Sequence, residues 1–373
     1  MKNIGTFLFY FVISIAILVL SVVGINTGNG MDNFVFWFIL QICFTIIFFI
    51  AIFVKEIIKP NNDIDANVKN APEEFKKILN YMQERNLLDS EASRIKLYIL
   101  SRIRLMSITI LVIAFVVVFG SEGDIEGDFL KYTLFAGIGA GAVLFFTKEI
   151  YKTELNEYEF IYKKEVIPTM LSLMNPNFKY VPTDLKKQEE YEELYERSSF
   201  TPALEAVYTE DYIEGYAVAD TYMRLCDAEV VKLDSEEAEY TTFQGLFANF
   251  SGIHYEDHRE ITITTDTKEL MSRIDTYHEK FNKAHKIYSS NTLVCDRMVK
   301  EGLCDAVLKL EEEYQCLFDI TIRHGEVFIR THVGNTFEPK INDTSKGVQP
   351  LYEHYRKFKL LFDVFYMVKS YIE

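Results

Sequence analysis

The sequence is poor in cysteine, and its cysteines are widely separated. The five are Cys43, Cys226, Cys295, Cys304 and Cys316, and no two of them form a Cys-x-x-Cys pair. This spacing argues against zinc-ribbon and thioredoxin-like sites, which need closely paired thiols. Four of the five lie in the C-terminal half, where we expect reduced, buried thiols of the kind usual in the cytoplasm.

The sequence also lacks the common catalytic motifs. It contains no Walker loop, no Gly-x-Ser-x-Gly elbow, no His-Glu-x-x-His motif and no kinase signature. Its closest histidine pair, His254 and His258, has the spacing of zinc ligands on a helix. Because the pair falls between two strand-like runs, we interpret it as exposed turn histidines, with a metal site as the weaker alternative. We therefore predict no catalytic residue, no cofactor and no metal site.

Basic residues are scarce relative to acidic ones. The chain has 39 Lys and Arg against 55 Asp and Glu, and nearly all of the net charge of −16 lies after Glu149. Binding of nucleic acid depends on clustered basic residues that displace counterions, so the composition argues against that function. A solvated negative surface is the simplest interpretation, and a basic protein partner is the alternative.

Long apolar runs dominate the first part of the chain. They cover residues 4–25, 34–58, 105–119 and 129–147. A helix crosses the hydrocarbon core of a bilayer with about 20 apolar residues, so we predict an α-helical anchor of four transmembrane helices. The third run is short and reaches this length only if Arg102 and Arg104 extend to the headgroups. A cleaved signal peptide is the alternative for the first run.

The charges of the connecting loops predict the orientation of these spans. Residues 55–104 hold ten basic residues, whereas the loops 26–33 and 120–128 hold none. By the positive-inside rule, both termini of this multi-pass protein of the cell (inner) membrane face the cytoplasm. The predicted units are a first transmembrane hairpin (1–58), a cytoplasmic helical hairpin (59–104), a second transmembrane hairpin (105–147) and a cytoplasmic acidic α+β domain (148–373).

The predicted spans have the character of an anchor rather than of a transport pathway. None carries an ionisable residue near its middle, where transporters and proton relays place one. Gly137 and Gly141, four residues apart in the fourth span, favour close packing against another helix. That neighbouring helix could belong to the same chain or to another one.

The C-terminal part combines strand and helix patterns. Residues 216–232, 240–250 and 260–264 are rich in β-branched and aromatic residues and are predicted strands. Alternating apolar residues on either side of His324-Gly325 predict a β-hairpin. Predicted helices cover residues 292–314 and the segment from Pro350 onward, where Phe358, Phe362 and Phe365 occupy core positions. The domain is therefore predicted to be α+β with an antiparallel sheet.

A helical pattern also continues beyond the fourth apolar run. No Gly or Pro occurs between Thr147 and Pro168. We predict one stiff helix over residues 129–167, which would hold the C-terminal domain at a fixed height. A break at Lys148-Glu149, where polar residues begin, is the alternative.

Five sequence blocks, taken in order, resemble a bacterial membrane protein family of unknown function, domain of unknown function number 3137. The blocks are Tyr162-Lys163-Lys164-Glu165-Val166-Ile167 with Phe178-Lys179-Tyr180, Asp211-Tyr212-Ile213-Glu214-Gly215, Phe243-Gln244-Gly245-Leu246-Phe247, Phe281-Asn282-Lys283 through Lys286-Ile287-Tyr288-Ser289, and Phe337-Glu338-Pro339. The resemblance implies N-terminal transmembrane helices before a soluble domain. It implies no activity, cofactor or catalytic residue. It also implies a LemA-like membrane protein as a possible partner.

Together these features favour a membrane-anchored protein-interaction or scaffold module. Its expected partners are another membrane protein and the lipid bilayer, and a homo-oligomer is possible. The alternative is a membrane-tethered enzyme with an active site that no known motif reveals.

Overall fold

The computed structural model describes the residues of one compact unit, Asn70–Glu373, in part. The described residues are 71–85, 90–120, 127–200, 206–218, 220–233, 239–254, 260–266, 273–289, 292–334, 336–337 and 348–372. The helices are α1 (Glu73–Glu84), α2 (Ser90–Gly120), α3 (Gly127–Ile161), a π-helical turn (Tyr162–Val166), α4 (Ile167–Met174), α5 (Leu185–Arg197), α6 (Glu279–Ala284), α7 (Thr292–Lys300), α8 (Leu303–Tyr314) and α9 (Val348–Ile372).

Within the described residues, nine strands form one antiparallel sheet. They are β1 (Lys179–Val181), β2 (Ala206–Val218), β3 (Thr221–Leu233), β4 (Glu239–Ser251), β5 (Ile261–Thr264), β6 (Arg273–Ile274), β7 (Lys286–Ser289), β8 (Phe318–Arg323) and β9 (Glu326–Thr331). Their order across the sheet is β1-β2-β3-β4-β9-β8-β5-β7-β6, so β1 is an edge strand. The predicted α+β domain with an antiparallel sheet is confirmed.

Helices cover both faces of the central strands. On one face, Tyr191, Leu194 and Tyr195 of α5 pack on a cluster of apolar side chains from β3, β4 and β9. Asp184 begins α5, because its carboxylate accepts hydrogen bonds from the backbone N–H groups of residues 186 and 187. On the other face, Phe365 of α9 stacks on the β4 residue Phe250 at 4.2 Å. The predicted core role of the aromatic residues of the last helix agrees with this packing.

The predicted hairpin at His324-Gly325 is confirmed. These two residues join β8 to β9, and both have positive φ angles, 50° and 73°, as a two-residue turn of this type requires. The strand predicted over residues 216–232 is wrong in its connectivity, because β2 ends at Val218 and β3 begins at Thr221. The continuous β-favouring composition hid that turn. The helix predicted over residues 292–314 is likewise two helices, separated at Gly302, whose φ is 98°.

The four-span membrane anchor is not supported by the residues that the structure describes. The third and fourth predicted spans correspond to parts of α2 and α3, and no helix within the described ranges is long and apolar enough to cross a membrane. The uncharged stretches are residues 105–120 in α2 and 132–147 in α3, each shorter than the roughly 20 residues of a crossing. The predicted multi-pass inner-membrane location and the predicted orientation depend on these spans, so they are not supported either. The first two predicted spans lie outside the described residues.

The α3 helix continues without a break through Lys148 and Glu149, as predicted. It runs from Gly127 to Ile161, about 52 Å at ~1.5 Å per residue. A π-helical turn and α4 then extend the helical column as far as Met174. The side chains of Phe160, Lys163, Lys164 and Pro168 in this column lie beside strand β1.

Candidate functional site

A cleft lies between this helical column and the edge strand β1. Its volume is about 460 Å³, and its walls include Phe160, Lys163, Lys164, Pro168, Tyr180 and Pro182. Ligand sites in proteins are typically hollows of roughly 300–1,000 Å³ with mainly apolar walls and a few polar groups. The cleft lies in this size range and is widely open to solvent. We call it the Asp211 cleft after the buried carboxylate beside it.

The π-helical turn sets the direction of Lys163. A π-helical turn contains one residue more than an α-helical one, and such turns occur frequently at functional sites. Tyr162, at the start of the turn, is buried and hydrogen-bonds to Nδ1 of His354 on α9. Burial raises the pKa of Tyr162 well above its ordinary value. This contact anchors the turn in the core, so that the neighbouring Lys163 is directed toward the edge of the sheet.

Asp211 lies at a β-bulge in β2 and has a strained backbone. The register of β2 against β3 shifts between Glu210 and Ile213, and Asp211 itself has a φ of 56°. Non-glycine residues in this left-handed region, and bulges next to strand edges, concentrate at functional sites. The backbone N–H of Asp211 donates to the carbonyl oxygen of Pro182 at 3.0 Å. The bulge thus holds the carboxylate next to β1.

The carboxylate of Asp211 joins two side chains of the cleft. Lys163 Nζ donates to Oδ2 at 2.8 Å, and the Tyr180 hydroxyl donates to Oδ1 at 2.5 Å. Asp211 is fully buried, and this burial raises its pKa to about 6, against the lowering effect of the two hydrogen bonds. A carboxylate with this pKa changes charge within about one pH unit of neutrality.

A second buried carboxylate, Asp227, holds the segment that packs against Tyr180. The ring of Tyr180 stacks on Phe337 at 5.8 Å. Asp227 Oδ2 accepts hydrogen bonds from the backbone N–H groups of Thr336 at 2.9 Å and Phe337 at 3.0 Å. Burial raises the pKa of Asp227 to about 8, although these two hydrogen bonds lower it. Its Oδ1 atom has no hydrogen-bond partner among the described residues.

A separate ionic cluster, centred on Arg330, lies on the α5 face of the sheet. The Arg330 guanidinium donates to Asp319 at 2.6 Å and to the Tyr195 hydroxyl at 3.2 Å, and it also bonds to Asp266. The guanidinium carbon lies over the rings of Phe200 and Phe243, at 4.9 and 5.1 Å from their centroids. These contacts form a network that stabilises the fold.

His332 lies at the rim of this cluster, with Nε2 3.1 Å from Asp319 Oδ2. Burial alone would raise the pKa of Asp319, but the hydrogen bond from His332 and the charge of Arg330 lower it. A catalytic His–Asp pair also requires a nucleophile bonded to the histidine. No hydroxyl or thiol is seen in such a bond to His332 in the described part of the chain.

The residues singled out in the sequence do not meet at one place. His254 is exposed and His258 lies outside the described residues, and no group of three or more potential metal ligands occurs in the described ranges. Gly141 faces α2, where an added Cβ would lie 3.7 Å from the Leu111 side chain, while Gly137 is half-buried on the same helix. Cys226, Cys295 and Cys304 are buried and Cys316 is partly buried, and burial raises the pKa of each thiol.

The Asp211 cleft was not foreseen as a site, although its residues stand in the quoted blocks. Lys163 and Tyr180 come from the first block and Asp211 from the second. Asp211 is 48 residues from Lys163 and 31 from Tyr180. No periodicity or short motif connects positions so far apart, so the blocks themselves were the only available signal.

Comparison with known proteins confirms the resemblance over one stretch of the chain and adds no activity. Residues 241–369 match the family described as "Protein of unknown function (DUF3137)". This range includes Phe337 and His354 but not Lys163, Tyr180 or Asp211. The match does not confirm the bacterial membrane origin that the resemblance implied. No curated protein and no solved structure matches the chain.

Proposed function

We propose that this protein is an interaction module that binds a segment of another protein in the Asp211 cleft. The observation that carries the proposal is the composition of the cleft walls. Phe160 is 62% exposed and stands with Pro168, Pro182 and the ring of Tyr180 around the hollow. Exposed aromatic and apolar side chains in a hollow are favourable to cover, because covering them removes apolar surface from water.

The polar groups of the cleft support binding more than catalysis. Both carboxylate oxygens of Asp211 accept hydrogen bonds from within the protein, from Lys163 and from Tyr180. Such a closed network favours a fixed shape, whereas a general base must reach a proton of its substrate. The LemA-like protein implied by the resemblance is the first candidate partner.

Site-specific photo-crosslinking tests this function. A benzoyl-phenylalanine replaces Phe160 in the full chain, and the matched control carries it at Leu293, which is 81% exposed on α7. Irradiation in cells should give one adduct of defined mass from position 160 and none of that mass from position 293. Identical adduct patterns from both positions, or no adduct at position 160, would contradict binding at the cleft.

The pKa of Asp211, about 6, favours an acid–base enzyme as a second candidate. The hydrogen bond from the Tyr180 hydroxyl places a phenol proton beside this carboxylate. To test this, a metabolite extract is incubated with the wild-type chain and with Asp211→Asn. A compound consumed by the wild type alone would support the enzyme, and identical extracts would count against it.

A further inference from the structure

Strand β1 borders the Asp211 cleft, because Tyr180 in the strand and Pro182 just after it contribute to the cleft walls. Among the described strands, β1 ends the sheet and pairs with β2, with Tyr180 opposite Ile213. The hydrogen bond from the Asp211 N–H to the Pro182 carbonyl shows which residues of β1 direct their backbone groups toward β2. In an antiparallel pair every second residue directs its backbone groups to the partner strand, so Tyr180 faces β2. The backbone groups of Lys179 and Val181 therefore point away from the sheet.

No described backbone group forms a hydrogen bond to Lys179 or Val181 from that side. On its far side the cleft is bounded by the helical column, which contributes Phe160, Lys164 and Pro168. A groove between an edge strand and a helix can accept an extended chain, which adds a strand to the sheet and places its side chains in the groove.

Charge favours a particular kind of segment. The lining of the cleft holds Lys163 and Lys164 against Glu159. Because Lys163 is already ion-paired with Asp211, Lys164 is the cation that can meet an acidic group of a ligand. The Lys164 ammonium lies 5.0 Å from the centre of the Phe160 ring. Apolar and cationic groups are thus adjacent at the mouth of the cleft.

We propose that an extended peptide segment of the partner protein adds as a strand to the edge of β1 within the Asp211 cleft. The segment presents an apolar side chain to Phe160 and Tyr180 and an acidic side chain to Lys164. This inference rests on the proposed function and specifies the mode of binding. The backbone of Lys179 and Val181 supplies affinity, and the cleft walls supply specificity.

The test uses a phage-displayed library of short random peptides selected on the full chain. Fluorescein-labelled peptides are synthesised from the enriched sequences, and their affinity is measured by fluorescence polarisation. The key variant is Lys179→Pro, because proline lacks the outward N–H and is tolerated on an edge strand at that position. Its matched control is Lys179→Ala, which changes the exposed side chain and keeps the N–H.

We expect enriched peptides that pair an apolar with an acidic residue. Their binding should be about tenfold weaker for Lys179→Pro, the loss expected when a backbone hydrogen bond is removed and a proline ring stands at the edge. Binding should be unchanged for Lys179→Ala. Equal affinities for Lys179→Pro and the wild type would overturn strand addition, as would a selection that enriches no peptide. If circular dichroism shows that Lys179→Pro is unfolded, Val181→Pro removes the other outward N–H and decides the question in the same assay.

The two proposals fail separately. An adduct at position 160, together with peptide affinities that Lys179→Pro leaves unchanged, would support protein binding and refute strand addition. Absence of both the adduct and the peptides would refute both.

Discussion

Replacing Asp211 with Asn should change how the stability of the protein depends on pH. The pKa of Asp211 is raised from 3.8 to about 6 by burial in the folded protein. Between these two values the folded state binds more protons at this site than the unfolded state does. The contribution of Asp211 to the free energy of unfolding therefore rises as pH falls from 7 toward 4 and decreases again as pH rises through 6.

The magnitude follows from the size of the shift. One pKa unit corresponds to about 1.4 kcal/mol, so the full effect is about 3 kcal/mol. Between pH 7.5 and pH 4.5 the linkage relation gives about 2 kcal/mol of this. Because Asn cannot be ionised, the difference in unfolding free energy between the wild type and Asp211→Asn should shift by that amount in favour of the wild type at pH 4.5.

Urea unfolding followed by circular dichroism at pH 7.5, 6.0 and 4.5 measures this difference. Asp275→Asn, at an exposed aspartate, is the matched control for the same chemical change outside the buried site. A wild-type minus Asp211→Asn difference that stays constant across this pH range would refute the argument. The buried carboxylate would then not titrate near neutrality, and its role in the cleft would have to be reconsidered.

Three further predictions concern packing, the ionic cluster and the helical column. Gly245→Ala should destabilise the fold by more than about 2 kcal/mol, because its Cβ would lie 1.8 Å from a backbone carbonyl oxygen, whereas Gly139→Ala, with open space around it, should cost nothing. Equal unfolding free energies for these two variants would contradict this. Arg330→Met should cost about 3 kcal/mol, because the buried Asp319 loses the guanidinium and keeps only His332 and the Thr265 N–H as partners. The double variant Arg330→Met/Asp319→Leu should recover part of the loss in urea unfolding. No recovery would show that packing, not charge, dominates there. Three glycines inserted after Lys152 should break α3 and abolish the adduct at position 160 while circular dichroism still shows a folded domain. An unchanged adduct would mean that the stiffness of the helix is irrelevant to binding.

The sequence by itself determined the elements whose signals are local. The hairpin at His324-Gly325 could be predicted because a two-residue turn between alternating apolar runs is specified by neighbouring residues. The continuity of α3 could be predicted because no helix breaker lies between Thr147 and Pro168. Local signals failed where composition was uniform, as at the turn between β2 and β3, which carries no Gly or Pro of its own.

The tertiary structure alone decided the candidate site. The association of Lys163, Tyr180 and Asp211 depends on a π-helical turn, a β-bulge and the placement of an edge strand beside a helix. Each of these is set by packing in the core, such as the Tyr162–His354 contact and the support of Tyr180 by Phe337. Contacts between residues this far apart in the chain leave no periodic trace in the sequence, and for that physical reason the cleft emerges only in the folded chain.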